Sequence, residues 1–202
     1  MTPAHIVKIC GVTNLDDAMA AVEAGATAVG FNFWPGSPRC IQPAEAARIG
    51  SALPKTALRV GVFVDEAADA VKSAAREAKL DVVQLHGGQP PDDAVRCWRA
   101  YRVAADGELV INDAETAEAI LLDAAVPGMR GGTGHTFPWS AARKLTQRVI
   151  IAGGLDASNV REAIREARPW GVDSCSRIES SPGRKDHGKM RAFIAEALAE
   201  FA

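Results

Sequence analysis

The sequence lacks most of the features that mark a secreted, metal-binding or membrane protein. None of its four cysteines forms a CxxC pair, and no group of histidines completes a zinc-binding spacing. No apolar run reaches the roughly 18 residues that a membrane helix needs. The first residues, MTPAHIVKICG, lack the basic segment and long apolar stretch of a signal peptide. These absences predict a protein with reduced thiols that works in the cytoplasm and binds no metal.

An excess of charge of one sign is also missing. The 23 Lys and Arg against 25 Asp and Glu give a net charge of −2, so nothing indicates attraction to nucleic acid or to an anionic membrane. The chain shows no linker, low-complexity run or block of charge. Its 202 residues therefore predict a single domain over residues 1–202, which at this size buries roughly 70% of the surface that the unfolded chain exposes.

The sequence does contain an alternation of two patterns, which predicts an α/β fold with a parallel sheet. Continuous apolar runs are typical of parallel strands buried on both faces. They lie at His5–Cys10, Ala26–Phe33, Leu58–Val64, Val82–Leu85, Tyr101–Ala104, Ala119–Leu122, Val149–Ala152 and Val172–Cys175. Ala-rich stretches with apolar residues at helical spacing lie between them. These are Asp16–Ala24, Pro43–Leu53, Ala67–Ala78, Ala157–Ala167 and Lys189–Phe201.

The number of strand–helix units selects the architecture. About eight units are present, which is the number that closes a (β/α)8 barrel, or TIM barrel. The fifth unit is thin, because only Asp106–Glu118 separates strands five and six. The alternative, a doubly wound open sheet, would have fewer strands and a GxGxxG turn after the first one, where this chain has CGVTN. We therefore expect a compact single-domain barrel.

Reactive side chains follow several strands, and the active site of such barrels lies at the C-terminal ends of the strands. Cys10 ends the first strand, and Lys8 lies two residues earlier on the same face. A thiol there is either an inert core residue or a base activated by nearby positive charge. Asp123 ends strand six and is either a buried structural acceptor or a general acid with a raised pKa. His86, after strand four, either orients a substrate or caps the strand.

Glycine-rich segments indicate a phosphate site. Gly153 and Gly154 end strand seven just before a predicted helix, where backbone N–H groups favour a dianion. Glycines can also merely form tight turns, but the loops after strands seven and eight are the usual phosphate site of this fold. The segment Ser174–Ser176 follows strand eight, and Gly131–Gly134 follows strand six. We expect phosphate to bind Gly132, Thr133, Gly134, Gly153, Gly154, Ser174, Cys175 and Ser176.

Eight segments of the chain combine into a specific pattern. They are KICGVTNLDDA (8–18), GFNFWPGSPRCI (30–41), GVFVDE (61–66), VVQLHG (82–87), LLDA (121–124), GGTGHTFPW (131–139), IIAGGLDASNV (150–160) and GVDSCSRIESSPGRKDHGKM (171–190). In this order they closely resemble the phosphoribosylanthranilate isomerase family, and the match spans nearly the whole chain. The combination of KICG, SPR, QLHG, GGTG and AGGL is highly specific, although each piece alone is not.

The resemblance implies a reaction and a set of roles. The family catalyses the Amadori rearrangement of N-(5′-phosphoribosyl)anthranilate to 1-(2-carboxyphenylamino)-1-deoxyribulose 5-phosphate in tryptophan biosynthesis, without a cofactor or metal. It implies that Cys10 is the general base, that Asp123 is the general acid, and that Arg39 contacts the anthranilate part. The residues expected to bind the substrate are Lys8, Asn32, Arg39, His86 and Asp173. We expect a small-molecule phosphosugar ligand as the partner, no nucleic acid or membrane, and a monomer or homodimer.

The segment after strand eight departs from the family pattern. The family usually reads GVDVSSGVE there, whereas this chain reads GVDSCSRIE. Ser174 replaces an apolar residue, Cys175 a serine and Arg177 a glycine. Arg177 is costly if that glycine has positive φ or lets the phosphate approach closely. Its side chain either reaches the phosphate or points to solvent. Cys40 also stands where the family often has an aromatic or basic residue.

Other phosphosugar barrels are alternatives. An indole-glycerol-phosphate synthase would need a catalytic lysine and paired glutamates at strand ends, which the sequence lacks. The isomerase that acts on a histidine precursor uses two aspartates, one of them at the end of strand one, where this chain has Cys10. A phosphosugar-binding barrel that has lost turnover is the alternative outside the enzymes. The presence of both Cys10 and Asp123 argues against it.

Overall fold

Eight parallel strands close into a barrel in the computed structural model, which describes residues 3–91, 95–104, 109, 111, 117–124 and 137–202. The strands are hydrogen-bonded in chain order, and β1 pairs with β8 to close the ring. They are β1 (Ile6–Ile9), β2 (Ala28–Asn32), β3 (Leu58–Val64), β4 (Val82–His86), β5 (Arg96–Val103), β6 (Ala119–Ala124), β7 (Val149–Ile151) and β8 (Gly171–Ser174). The predicted (β/α)8 barrel is confirmed.

The fifth strand differs most from its prediction. It begins at Arg96, five residues before the predicted Tyr101. Arg96 and Arg99 interrupt the apolar pattern before Tyr101, so the sequence alone does not indicate where the strand begins. Arg96 pairs with Glu118 at 2.6 Å, and Arg99 Nη1 donates a hydrogen bond to the Gly88 carbonyl at 2.8 Å. Each cation thus has a partner, and the strand can carry both.

The described part of the chain contains five α-helices outside the barrel. They are α1 (Leu15–Glu23), α2 (Pro43–Ala52), α3 (Ala68–Glu77), α4 (Val160–Ala167) and α5 (His187–Phe201). Helix α4 begins three residues later than predicted, because Asn159 Oδ1 accepts a hydrogen bond from the Asp156 N–H at 2.9 Å and holds a turn before the helix. None of these five helices is long and apolar enough to cross a membrane. Most of the thin fifth unit, residues 106–118, lies outside the described residues.

The barrel interior is apolar towards the N-terminal ends of the strands and polar towards their C-terminal ends. Buried apolar side chains fill the first part, among them Ile6, Ala28, Val60, Val82, Trp98, Ala119 and Ile150. The buried polar side chains lie further along the strands, among them Lys8, Gln84, Asp123 and Asp173. A second apolar layer packs the strands against the helices, and Val7 and Ile9 belong to it. The polar end of the interior is therefore where a ligand site can form.

A short irregular segment follows β8 and covers one side of this polar end. It consists of a 3-10 helix at Ser176–Ile178 and a hairpin of β9 (Glu179–Ser181) and β10 (Arg184–Lys185). Asp17 on α1 anchors the hairpin, because its Oδ2 accepts a hydrogen bond from the Lys185 N–H at 2.9 Å. The anchor fixes the start of α5 as well, since His187 Nε2 contacts Asp17 Oδ1 at 2.8 Å. The hairpin has no apolar periodicity, and the sequence patterns do not predict it.

Candidate active site

A cleft opens at the C-terminal ends of the barrel strands and contains most of the predicted site. The predicted residues that line it are Cys10, Asn32, Arg39, His86, Asp123, Gly153, Gly154, Asp173, Cys175 and Ser176. Lys8 lies beneath the cleft and is fully buried. Three of the predicted phosphate ligands, Gly132, Thr133 and Gly134, lie outside the described residues. The structure thus brings predicted residues from the ends of six strands, or from the loops after them, to one place.

The floor of the cleft is an ion pair between neighbouring strands. Lys8 on β1 and Asp173 on β8 are partners in the strand register, and Lys8 Nζ donates to Asp173 Oδ1 at 2.9 Å. Burial lowers the pKa of Lys8, but the negative charges of Asp173 and Cys10 outweigh burial and hold that pKa above its ordinary value. Burial raises the pKa of Asp173, against the pull of the ammonium group. Lys8 is therefore a fixed positive charge under the reactive thiol.

The Cys10 thiol lies in surroundings that favour its ionised form. A hydrogen bond from the Cys175 thiol lowers the pKa of Cys10 most strongly. Burial opposes this effect, while the positive charges of Lys8 and Lys185 add to it, and the net pKa lies well below the ordinary value for a thiol. Because the thiolate is the basic form of cysteine, Cys10 is prepared to accept a proton.

Asp123, at the end of β6, lies in surroundings that favour its protonated form. Its side chain is nine-tenths buried. Burial, followed by the negative charge of Cys10, raises the pKa of Asp123 to about 6, against smaller opposing effects that include the Ala124 N–H. Gly153 is needed beside it, because a Cβ there would lie 2.7 Å from Asp123 Oδ1 and the residue has a φ of +81°. The site therefore holds a carboxyl that can carry a proton near neutral pH.

His86 and Gln84 form a pair on β4. Their side-chain nitrogens, His86 Nε2 and Gln84 Nε2, lie 2.9 Å apart. Burial and then the positive charges of Lys8 and Arg102 lower the pKa of His86 to about 4, so its imidazole is neutral at pH 7. A neutral ring can donate or accept a hydrogen bond to a ligand without adding charge to a cleft that already holds Lys8.

Arg39 is held in place by a carboxylate from the hairpin. Its Nε and Nη2 donate to the two carboxylate oxygens of Glu179 at 2.9 and 2.7 Å, a bidentate geometry that fixes the guanidinium plane. Glu179 Oε1 also accepts from Lys185 Nζ at 2.9 Å. Burial raises the pKa of Glu179, but Arg39 and Lys185 outweigh burial and lower it below its ordinary value. Arg39 Nη1 is not part of the pair with Glu179 and remains the nitrogen that can reach a ligand.

The loops after β7 and β8 only partly match the predicted phosphate site. Gly153 and Gly154 line the cleft with positive φ values of +81° and +67°, and Ser176 lines it too. The prediction for the Ser174 side chain requires a correction, because its Oγ donates to the Leu155 carbonyl at 2.6 Å in a buried position. Successive strand residues point to opposite faces, so Ser174 points outward when Asp173 points into the barrel.

Arg177, which departs from the family pattern, lines the cleft next to Ser176, and its two predicted arrangements stay predictions. It lies in the 3-10 helix, and its backbone is not among those with positive φ. The guanidinium group is about half exposed and pairs with Asp156 at 2.8 Å. An exposed ion pair of this kind contributes about 1 kcal/mol or less. Arg177 therefore ties the loop after β8 to the loop after β7, and its backbone is unstrained.

Three residues in or beside the cleft were not predicted from the sequence. Trp34 lines the cleft in the loop after β2, and the Asn32 side chain stabilises this loop by accepting a hydrogen bond from the Trp34 N–H at 2.9 Å. Trp34 could have been predicted as a site residue, because it is an aromatic residue two positions beyond a strand end. Glu179 and Lys185 carried no such signal, because they reach the site only through the hairpin.

A metal site is not indicated by the described side chains, since no three His, Cys, Asp or Glu residues among them gather in a way that could hold an ion.

The chain is similar to one family along almost its whole length. Residues 7–196 match the family model described as N-(5′-phosphoribosyl)anthranilate (PRA) isomerase. A relative of that name from Solibacter usitatus is 52% identical over 197 residues, which cover 96% of this chain and 98% of the relative. The phosphoribosylanthranilate isomerase structure from Thermotoga maritima superposes with a TM-score of 0.83 at 40% identity, covering 96% of this chain and 99% of that one. A structure of such an isomerase in complex with reduced 1-(o-carboxyphenylamino)-1-deoxyribulose 5-phosphate has a TM-score of 0.79 at 37% identity and covers 96% and 99%. This chain belongs to the N-(5′-phosphoribosyl)anthranilate isomerase family.

Proposed function

We propose that this protein catalyses the Amadori rearrangement of N-(5′-phosphoribosyl)anthranilate, with Asp123 as the general acid and Cys10 as the general base. One observation carries the proposal: a thiol with a lowered pKa and a carboxyl with a raised pKa line the same cleft. Family membership supports the same reaction. The complex of a relative with a reduced carboxyphenylamino-deoxyribulose phosphate supports a ligand of this class.

Asp123 performs the first step. Its carboxyl proton moves to the ring oxygen of the ribose, the bond from that oxygen to C1′ breaks, and the anthranilate nitrogen forms a protonated Schiff base with C1′. The raised pKa matters here, because a carboxyl with a pKa of about 6 holds its proton in about one molecule in ten at pH 7, against less than one in a thousand at its ordinary value.

Cys10 performs the second step. Its thiolate takes the proton from C2′, and the electron pair of that C–H bond forms the double bond of an enolamine as the Schiff base nitrogen is neutralised. The enolamine then gains a proton at C1′ and loses its hydroxyl proton to give the ketone. Hydrogen moves within one molecule and to or from acid and base groups, so the reaction consumes no oxidant or reductant.

The charges of the two groups reinforce each other. The negative charge of the Cys10 thiolate raises the pKa of Asp123, so the combination of ionised thiol and protonated carboxyl is favoured over two negative charges. That combination is the form the first step needs. Lys8 adds to it, because its buried ammonium group stabilises the thiolate without being a proton donor near neutral pH.

The two ends of the substrate meet different walls of the cleft. We assign the anthranilate carboxylate to Arg39 Nη1 and its ring to the side of the cleft that Trp34 lines. We assign the phosphate to the backbone N–H groups of Gly153 and Gly154 and to Ser176. Anchoring at both ends holds the sugar between Cys10 and Asp123.

A cytoplasmic location fits this assignment, because reducing conditions there keep the Cys10 thiol available.

The direct test is the disappearance of the fluorescence of freshly generated phosphoribosylanthranilate. We expect turnover by the purified protein, with formation of the carboxyphenylamino-deoxyribulose phosphate detected by mass spectrometry. The alternative, a phosphosugar-binding barrel without turnover, predicts that the substrate binds and is not converted. Saturable protection of the protein against heat by the substrate, with no product, would support that alternative.

Inorganic phosphate should inhibit competitively. We expect the apparent KM to rise linearly with phosphate concentration while kcat stays unchanged, because free phosphate occupies the site of the substrate's phosphate. The variant Ser176→Ala should weaken this inhibition roughly tenfold, since a hydrogen bond to a charged group is lost.

The matched control for this prediction is Ser51→Ala, which removes an exposed hydroxyl on α2 that donates to the Arg48 carbonyl. It should leave phosphate inhibition at the wild-type value. A fall in kcat with an unchanged KM would place the phosphate away from the substrate site and contradict the assignment.

A further inference from the structure

The strand register places two thiols side by side above the ion pair. Lys8 and Asp173 are register partners on β1 and β8, and their side chains meet inside the barrel. Side chains two residues further along a strand point to the same face. Cys10 and Cys175 are those residues, and the hydrogen bond from Cys10 N to the Ser174 carbonyl at 2.9 Å continues the ladder to this level. Neighbouring strands lie about 4.8 Å apart and both residues line the cleft, so Cys10 and Cys175 are neighbours there.

The two thiols influence each other's ionisation. Cys175 lowers the pKa of Cys10 and Cys10 raises the pKa of Cys175, which is the effect of a hydrogen bond from the Cys175 S–H to the Cys10 sulfur. Cys175 is held from the other side, because Lys185 Nζ donates to its carbonyl at 3.2 Å and lies 3.9 Å from its Sγ. Gly11 leaves room for this arrangement, since a Cβ at Gly11 would lie 3.0 Å from Cys175 Sγ. Cys175 therefore has a defined position beside Cys10.

We propose that Cys175 is a positioning residue for the reaction, which donates its S–H to the Cys10 thiolate and keeps that sulfur ionised and directed into the cleft. The pair then carries one proton, and Cys10 is the ionised member. The role of Cys175 in catalysis rests on the proposed function. The sharing of one proton between the two thiols does not depend on that function. It assigns Cys175 a different role from the predicted one of phosphate ligand.

The surrounding charges favour Cys10 as the ionised member. The charged or titratable groups that influence Cys10 come from every neighbouring element: Lys8 on β1, Arg39 after β2, Asp123 on β6, Asp173 and Cys175 on β8, and Lys185 on β10. Of the two lysines, Lys185 is already paired with Glu179 at 2.9 Å and with the Cys175 carbonyl. The hydrogen bond with Cys10 and burial both raise the pKa of Cys175 above its ordinary value, while the pKa of Cys10 is lowered.

The test measures which sulfur is ionised, without substrate. Wild type, Cys175→Ala and Cys175→Ser are pulse-labelled with iodoacetamide between pH 5 and pH 10, and labelling of the Cys10 peptide is measured by mass spectrometry. In Cys175→Ala we expect the midpoint of the Cys10 titration to rise by about one pH unit or more, because a hydrogen bond to a charged group is lost. In Cys175→Ser the midpoint should stay within about half a unit of wild type, since a hydroxyl also donates.

The pH profile of kcat/KM provides a second measurement. The pH below which kcat/KM falls should rise together with the Cys10 midpoint in Cys175→Ala. In Cys175→Ser this pH should stay at the wild-type value. The matched control is Cys97→Ala, which removes another buried thiol, on β5, and should move neither. Thermal unfolding of each variant confirms that the labelled protein is folded.

Three results would overturn the proposal. They are an unchanged Cys10 midpoint in Cys175→Ala, an equal rise in Cys175→Ser and Cys175→Ala, and labelling of Cys175 before Cys10 in wild type. Failure of the proposed function has a different signature, because a wild-type protein that does not convert phosphoribosylanthranilate still gives a Cys10 titration. The labelling data therefore test the thiol pair whatever the outcome of the activity assay.

Discussion

Replacing Cys10 with alanine should lower kcat at least about 100-fold and leave the fold intact. A positioned general base typically contributes 10²–10⁴-fold to a rate, and alanine removes the thiolate that we propose takes the C2′ proton. The fold should survive because Cys10 lies after the last residue of β1 and its side chain faces the cleft. The measurement is the steady-state loss of substrate fluorescence, with thermal unfolding recorded for the same sample.

Cys97→Ala is the matched control, because Cys97 is also a buried thiol on a barrel strand but does not line the cleft. Its kcat should equal that of wild type. Inhibition by inorganic phosphate should persist in a sensitive assay of Cys10→Ala, since the phosphate loops are untouched. Turnover of Cys10→Ala within a few fold of wild type would show that another group is the base.

The positions of Cys10 and Asp123 could be predicted because they end recognisable strands, whereas their roles as base and acid came from the family resemblance. Cys10 and Asp123 each follow a continuous apolar run, and the fold places the C-terminal ends of such runs around one cleft. Local sequence also contained the information that Ser174 faces outward, since it alternates with the inward Asp173 along one strand. The Ser174 hydroxyl accordingly donates to the Leu155 carbonyl and is turned away from the cleft.

The surroundings of these residues could not be predicted in the same way, because they depend on closure of the barrel. Lys8 and Asp173 are 165 positions apart and meet only when β1 and β8 become neighbours. The same closure brings Cys175 to Cys10. Glu179 and Lys185 reach the site through a hairpin that Asp17 anchors, and no periodic pattern marks that hairpin in the sequence. The pKa values that separate acid from base therefore come from tertiary contacts.

Replacing Asp123 with asparagine should also lower kcat at least about 100-fold, and it should change the pH profile. Asparagine has nearly the same shape, and its Oδ1 can still accept the hydrogen bond that the Ala124 N–H donates to the carboxylate. What it lacks is a proton to give to the ribose ring oxygen. In wild type, kcat/KM should fall as the pH rises above about 6, because the acid of the free enzyme loses its proton there. The residual kcat/KM of Asp123→Asn should not show this fall above about pH 6.

The same substitution should stabilise the protein at alkaline pH. Below pH 3.8, the ordinary value, the Asp123 carboxyl holds its proton in both the folded and the unfolded chain, and burial of the group carries no charge penalty. As the pH rises from there to about 6, the unfolded chain releases this proton first, and the folded state loses up to about 3 kcal/mol. Asparagine is neutral throughout and avoids this loss. The free energy of unfolding of Asp123→Asn should therefore exceed that of wild type by up to about 3 kcal/mol at pH 8.

Urea unfolding at pH 4 and pH 8 tests this sign directly. The stability advantage of Asp123→Asn should be present at pH 8 and nearly absent at pH 4. Asp156→Asn is a suitable control, because the pKa of that carboxyl is lowered rather than raised, and neutralising it should destabilise the protein at pH 8. A loss of activity in Asp123→Asn with reduced stability at pH 8 would mean that Asp123 is a structural acceptor. Loss of activity with a gain of stability is the result expected of an acid that is buried for catalysis at a cost to the fold.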